Sequence, residues 1–134
     1  MKVAAMTVTG SHFVIDRGDV IRFRTDQPSV INAPAGVTRG AETEATFEAD
    51  SGELVQLIQR GSVSFELGNR SGTADRVEVG NGGQILLTGN TSVEDNALRV
   101  EASRIALDQN ADSFQATGSV KTVYIDVPDP VLIV

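Results

Sequence analysis

Ala74-Asp75-Arg76-Val77-Glu78-Val79 and Ala102-Ser103-Arg104-Ile105-Ala106-Leu107 are two copies of one phrase, and the strand pattern of the chain follows from them. The same spacing governs a set of glycines, because Gly61, Gly89 and Gly118 stand 28 and 29 residues apart. Ala45, Ala74 and Ala102 precede them at intervals of 29 and 28, and each alanine leads its glycine by 15 or 16 residues. A repeat of this length with alternating side chains holds two strands and two turns, and the chain uses it about two and a half times. The one residue of slack belongs in a turn, since a slip within a strand would carry its apolar face to the other side. The glycines are expected at bulges or positive-φ turns, conformations that a residue without Cβ adopts freely.

Outward from these phrases the alternation continues. Leu98, Val100 and Ala102 share one face of a strand, with Arg99 and Glu101 on the other. Val63 with Phe65 and Leu67, Val77 with Val79, Ile85 with Leu87, and Ile105 with Leu107 follow the same rule. Near the start, Phe13-Val14-Ile15 and Val20 to Arg24 flank the turn Asp16-Arg17-Gly18-Asp19 and predict a hairpin. A loop-rich stretch follows from Asp26 to Gly40, with one short strand at Ser29 to Asn32. The nearest helix candidate, Leu54, Val55, Leu57 and Ile58, stops after about one turn. Across all 134 residues, 17 Val, 8 Ile and 11 Thr outnumber 8 Leu, a bias toward side chains that suit a pleated sheet. The expectation is a single all-β domain. Residues 1–44 form its less regular strands, 45–124 the repeat region and 125–134 a C-terminal tail or edge strand. Val131-Leu132-Ile133-Val134 suits an edge contact, while Pro128 and Pro130 cannot donate to a ladder and favour a frayed tail.

Eighteen acidic groups against eleven basic ones leave a net charge of −7, which disfavours nucleic acid and anionic membrane surfaces. Without cysteine there is neither a disulfide nor a thiolate metal site. Met1-Lys2 opens on a strand-like segment without the apolar core of a signal peptide, so an exported protein of this sequence is expected to have been trimmed. Catalytic signatures are thin. His12 is the one imidazole, and no Gly-x-Ser-x-Gly elbow accompanies it. Pairs such as Glu42 with Glu44 or Asp126 with Asp129 are inevitable among so many acids. Asp108-Gln109-Asn110-Ala111-Asp112 opens like a calcium loop but lacks the glycine and the later glutamate that complete one. The expectation is a protein that is not an enzyme and needs no metal or cofactor.

Leu87-Thr88-Gly89-Asn90-Thr91-Ser92-Val93, Ala74-Asp75-Arg76-Val77 and Phe114-Gln115-Ala116-Thr117-Gly118-Ser119-Val120 resemble the repeats of the OstA-like family of lipopolysaccharide transport proteins, the LptA and LptC group. Those repeats run Leu-x-Gly-Asn-Val-x-Val, followed by Ala-Asp-x-hydrophobic. The likeness covers residues 45 to about 124. It departs at Thr91, where the family usually has an aliphatic residue, and at Ser103, where it usually has aspartate. The resemblance implies a twisted, open β-jellyroll in the periplasm that binds lipopolysaccharide or a similar amphipathic lipid and passes it toward the outer membrane without chemistry. It also implies edge-strand pairing with other transport components and end-to-end self-association, with no nucleic acid partner. The lipid would touch the inward apolar faces, namely Val63, Phe65, Val77, Val79, Ile85, Leu87, Val93, Leu98, Val100, Ile105, Leu107, Phe114 and Val120. Arg60, Arg70, Arg76, Arg99 and Arg104 are the cations that could gather near such a groove. The alternative from another class is a fragment of a parallel β-solenoid, serving as an adhesin or a carbohydrate-active module.

Overall fold

A computed structural model describes residues 7–33, 36–80, 82–96, 98–108 and 114–124. Twelve strands make up the described chain: β1 (Thr7–Gly10), β2 (Val14–Arg17), β3 (Val20–Thr25), β4 (Ser29–Ala33), β5 (Gly36–Gly40), β6 (Glu42–Glu48), β7 (Leu54–Leu67), β8 (Arg70–Gly80), β9 (Gln84–Glu94), β10 (Leu98–Asp108), β11 (Phe114–Thr117) and β12 (Lys121–Tyr124). No helix occurs among the described residues, and the fold is all-β and open as expected. The proposed edge segment Val131–Val134, its two prolines and the 109–113 turn lie outside them.

The pairing resolves the twelve pieces into eight long strands running up and down. β7 pairs with β8, β8 with β9 and β9 with β10 along most of their lengths. The flanking strands are the same element broken in the middle. β6 pairs with the first half of β7 and β5 with its second half. Likewise β11 and β12 pair with opposite halves of β10, and β2 and β1 continue the pattern through β3 and β4. The 26–40 stretch is therefore more regular than its composition suggests, because β5 stands between β4 and β7. All these pairings are antiparallel, which overturns the parallel β-solenoid alternative. Hairpins joined by short turns cannot make the long coils that such a helix requires.

Each long strand changes layer at its midpoint. Gly61 and Ser62 on β7 have φ of 86° and 46°, and Gly89 and Asn90 on β9 have 78° and 47°. Gly118 and Ser119 repeat the pattern at 79° and 51°, between β11 and β12. The register shifts at these places, with one extra residue on the glycine-bearing strand. They are bulges, and a bulge bends a strand. The facing strands cross with a different device. On β8 the buried positions step from Ala74 to Val77, and on β10 from Ala102 to Ile105, three residues instead of two or four. The phrases that begin at Ala74 and Ala102 are thus the crossing itself. Asp75 fits beside Gly89 and accepts a hydrogen bond from Asn90 Nδ2 at 3.1 Å, while Ser103 N donates to Gly118 O at 2.7 Å.

One face is buried in both halves, and without helices only the other half can cover it. Val77, Ile85, Leu87, Ile105 and Leu107 from the first layer pack with Val63, Phe65, Ala74, Val93, Val100 and Ala102 from the second in one cluster. A smaller cluster joins Ile31 of the second layer to Ala45 and Leu57 of the first. There Phe23 stacks on Phe47 at 5.7 Å and meets the edge of Phe13 at 6.0 Å.

Candidate functional site: the space between the layers

Strand register turns the inner faces into continuous rows. Nearest the crossing in the first layer run Thr25, Thr43, Gln59, Val77, Leu87, Ile105 and Ala116. One pleat further out come Phe23, Ala45, Leu57, Val79, Ile85, Leu107 and Phe114. The second layer answers with Ile31, Thr38, Phe65, Gly72, Val93 and Val100. Gly72 is required there, since a Cβ would meet the backbone oxygen of Ser92 and the ring of Phe65. Burial is complete along the crossing, where Leu87, Ile105 and Val63 are all 0% exposed, and partial at the margin, where Leu54, Leu67, Leu98 and Phe114 are half-buried.

Of the thirteen residues predicted to face inward, nine are fully buried: Val63, Phe65, Val77, Ile85, Leu87, Val93, Val100, Ile105 and Leu107. Val79, Leu98 and Phe114 are partly buried against them. Val120 is the exception, 50% exposed in the break between β11 and β12. It holds the repeat position of Val63, but no strand follows on its far side among the described residues to cover it. Removing each large apolar side chain from water contributes roughly 1.5–3 kcal/mol, so these rows hold the layers together whether or not they also touch a ligand.

Sequence reasoning missed the polar end of this interior. Gln59 is 1% exposed, Thr43 2% and Ser29 3%. Gln59 Nε2 donates to Thr43 Oγ1 at 3.2 Å, and Thr43 shares a short hydrogen bond with Ser29. The signal was available in the repeat: two residues before the repeated glycine stand Leu87 and Ala116 in two copies but Gln59 in the third. Thr91, where the sequence departs from the family pattern, is buried in the other half and donates through Oγ1 to Ala102 O at 2.7 Å. Thr91→Val removes the donor and retains the shape while Ala102 O loses one partner. The expected cost is about 1 kcal/mol or less by urea denaturation.

The outer faces carry mostly polar side chains. A depression of ≈ 360 Å³ on the second layer is lined by Ser64, Ser71, Thr73 and Ser92 with Arg39 and Arg99 beside them. Another of ≈ 600 Å³ includes Leu86, Ala106 and Gln115 on the first layer. A third, of ≈ 370 Å³, is lined by His12, Arg24, Asp26, Glu42 and Arg60 together with Thr25 and Thr43. Thr43 is committed to Ser29 and Gln59, and no group of three metal-binding side chains forms among the described residues. Arg60, Arg76 and Arg104 line up on the outer face at the crossing, where Arg60 faces Glu42 and Arg76 faces Glu78, each at 3.5 Å. Arg99 pairs with Glu101 at 2.8 Å. Arg70 begins β8, away from the crossing. Its guanidinium carbon lies 5.7 Å from the ring centre of Phe114, bridging the two layers at their open margin.

No protein-family model matches the sequence, and no curated protein matches it. Among solved structures, the fold is similar to the crystal structure of LptH, the LptA-homologous periplasmic component of the conserved lipopolysaccharide transport device from Pseudomonas aeruginosa. The TM-score is 0.72, with 14% sequence identity, over 89% of this chain and 94% of that one. What the two chains share is the β-jellyroll.

Proposed function

We propose that this chain is a non-catalytic carrier that holds the acyl chains of lipopolysaccharide between its two layers and passes the lipid across the periplasm. The observation that carries this reading is the pair of facing apolar layers, sealed along the crossing and only half-buried at Leu54, Leu67, Leu98 and Phe114. A fatty chain entering from that margin replaces water on apolar surface, worth about 25 cal/mol per Å², and needs no catalytic group. The likeness to LptH supports the same reading through the fold. The interior along the crossing is filled, so uptake requires the layers to separate at the margin. The contact of Arg70 with Phe114 must then open. Carboxylates dominate elsewhere, and headgroups remain in solvent.

Partners would join at the sheet edges. Among the described residues, β2 lies at one edge with Val14 and Ile15 exposed by 41% and 56%, and β11 and β12 lie at the other. Unpaired strand edges offer rows of N–H and C=O groups to another chain, including a second copy or another transport component.

A photoreactive residue placed at Phe114, Leu98 or Phe65 is expected to form a covalent adduct with purified lipopolysaccharide, whereas one at Glu78 or Ser92 on the outer faces is not. Adducts from the outer positions alone, or from none, would overturn the carrier reading. Lipopolysaccharide should also raise the melting temperature, because a ligand bound only to the folded state stabilises it by linkage.

A further inference from the structure

Two buried side-chain polar atoms of the described residues have no hydrogen-bond partner, Gln59 Oε1 and Thr38 Oγ1. Both belong to the inner rows, and both lie at the same end. Gln59 stands on β7 between Thr43 and Val77 in the row nearest the crossing. Thr38 stands on β5 between Ile31 and Phe65 in the second layer. Gly40 links the two places. A Cβ at Gly40 would come within 3.3 Å of Gln59 Cβ, and Thr38 precedes Gly40 by two residues on the same strand face, about 7 Å along the strand.

An unpartnered polar atom in such surroundings costs free energy that packing cannot recover, and the pair interrupts an interior that is otherwise satisfied. Thr91, the buried hydroxyl in the other half, has its partner in Ala102 O. The Ser29–Thr43–Gln59 chain uses the amide nitrogen of Gln59 and leaves its oxygen over. The group best able to complete the set is a hydroxyl. It donates to the free amide oxygen, and it can donate to or accept from the threonine hydroxyl. Rotating the amide by 180° would exchange acceptor for donor, and a hydroxyl would serve equally well. A bare hydrocarbon chain satisfies neither atom.

We infer that Gln59 and Thr38 form a polar subsite inside the slot, which selects acyl chains carrying a hydroxyl over plain chains of the same length. This rests on the carrier reading and specifies its ligand. Chains running toward the crossing at this end would bring their hydroxyl to the pair, whereas at the opposite end Leu87, Ile105 and Ala116 offer only apolar contact. The subsite therefore fixes how far, and at which end, a chain is inserted.

The test measures binding of tetradecanoic acid and of its 3-hydroxy and 12-hydroxy derivatives to the whole chain, by competition with a fluorescent fatty acid. One hydroxy isomer is expected to bind about tenfold more tightly than the plain chain, the size of one buried polar group gaining its partner. Gln59→Leu, which places in this row the side chain already present at position 87, should abolish that preference while plain-chain binding persists or improves. Thr38→Val should reduce it. Equal binding of all three acids to the unaltered protein would overturn the subsite and leave the carrier reading standing, with enclosed water satisfying the two atoms instead. A preference that survives Gln59→Leu would also overturn it. Binding of none of them would overturn both.

Discussion

Leu87→Ala is expected to lower the stability of the lipid-free protein by about 3 kcal/mol, seen as a lower urea midpoint with an unchanged slope. Leu87 is 0% exposed, lies between Val77 and Ile105 in the row nearest the crossing, and packs in the cluster shared by both layers. Truncation removes the transfer free energy of its outer carbons and leaves a cavity. The kinked strands around it cannot close that cavity without breaking register. Leu86 is the control. It points outward one residue earlier and is only partly buried, so Leu86→Ala should cost under about 1 kcal/mol. The contrast bears on the carrier reading. A slot that stood open without lipid would tolerate both changes alike, and a loss below about 1 kcal/mol at Leu87 would show that the crossing is not a packed core.

Gly89→Ala should destabilise by a similar amount, about 3 kcal/mol, for a different reason. Its φ of 78° disfavours any residue with a Cβ. The added carbon would also lie 2.5 Å from Asp75 Oδ2 and 2.8 Å from Asp75 Cβ. Moving the carboxylate alone does not relieve the second contact, so β8 must shift and the hydrogen bond from Asn90 Nδ2 to Asp75 is lost. Gly52 separates the two effects. It has φ of 75° in the β6–β7 turn, yet nothing lies within 4 Å of a Cβ placed there. Gly52→Ala should cost only about 1 kcal/mol, and thermal denaturation of the two variants should differ by the steric part alone. Equal losses would mean that the bulge tolerates a side chain and that backbone conformation is the sole constraint.

Much of the architecture was legible in the chain because strand alternation is local. The Leu98–Val100–Ala102 and Ile105–Leu107 faces, the hairpin around Gly18 and the bulge glycines could be read without knowing any partner. The phrase Ala-x-Arg-aliphatic was visible as a repeat. That it marks the step from one layer to the other was not, since a three-residue change of phase acquires meaning only when both faces have somewhere to be buried. Residues 26–40 looked irregular because Pro28, Pro34, Gly36 and Gly40 punctuate them, and such punctuation resembles a loop until β4 and β5 are seen paired. Val120 was misjudged for a related reason. Its place in the repeat predicts an inward face, but burial depends on a neighbour that the described strands do not supply.

The all-β character, the strand pairs, the positions of the kinks and most of the inner apolar faces are thus written along the chain, because each follows from backbone preference and side-chain alternation within a few residues. That the row beside the crossing is sealed while its margin is only half-buried emerges from packing alone. The tertiary structure also decided that Gln59 and Thr38 come to one end of that interior with polar atoms unmet. Those properties arise from contacts between residues far apart in the chain, and no local pattern encodes how closely two layers approach.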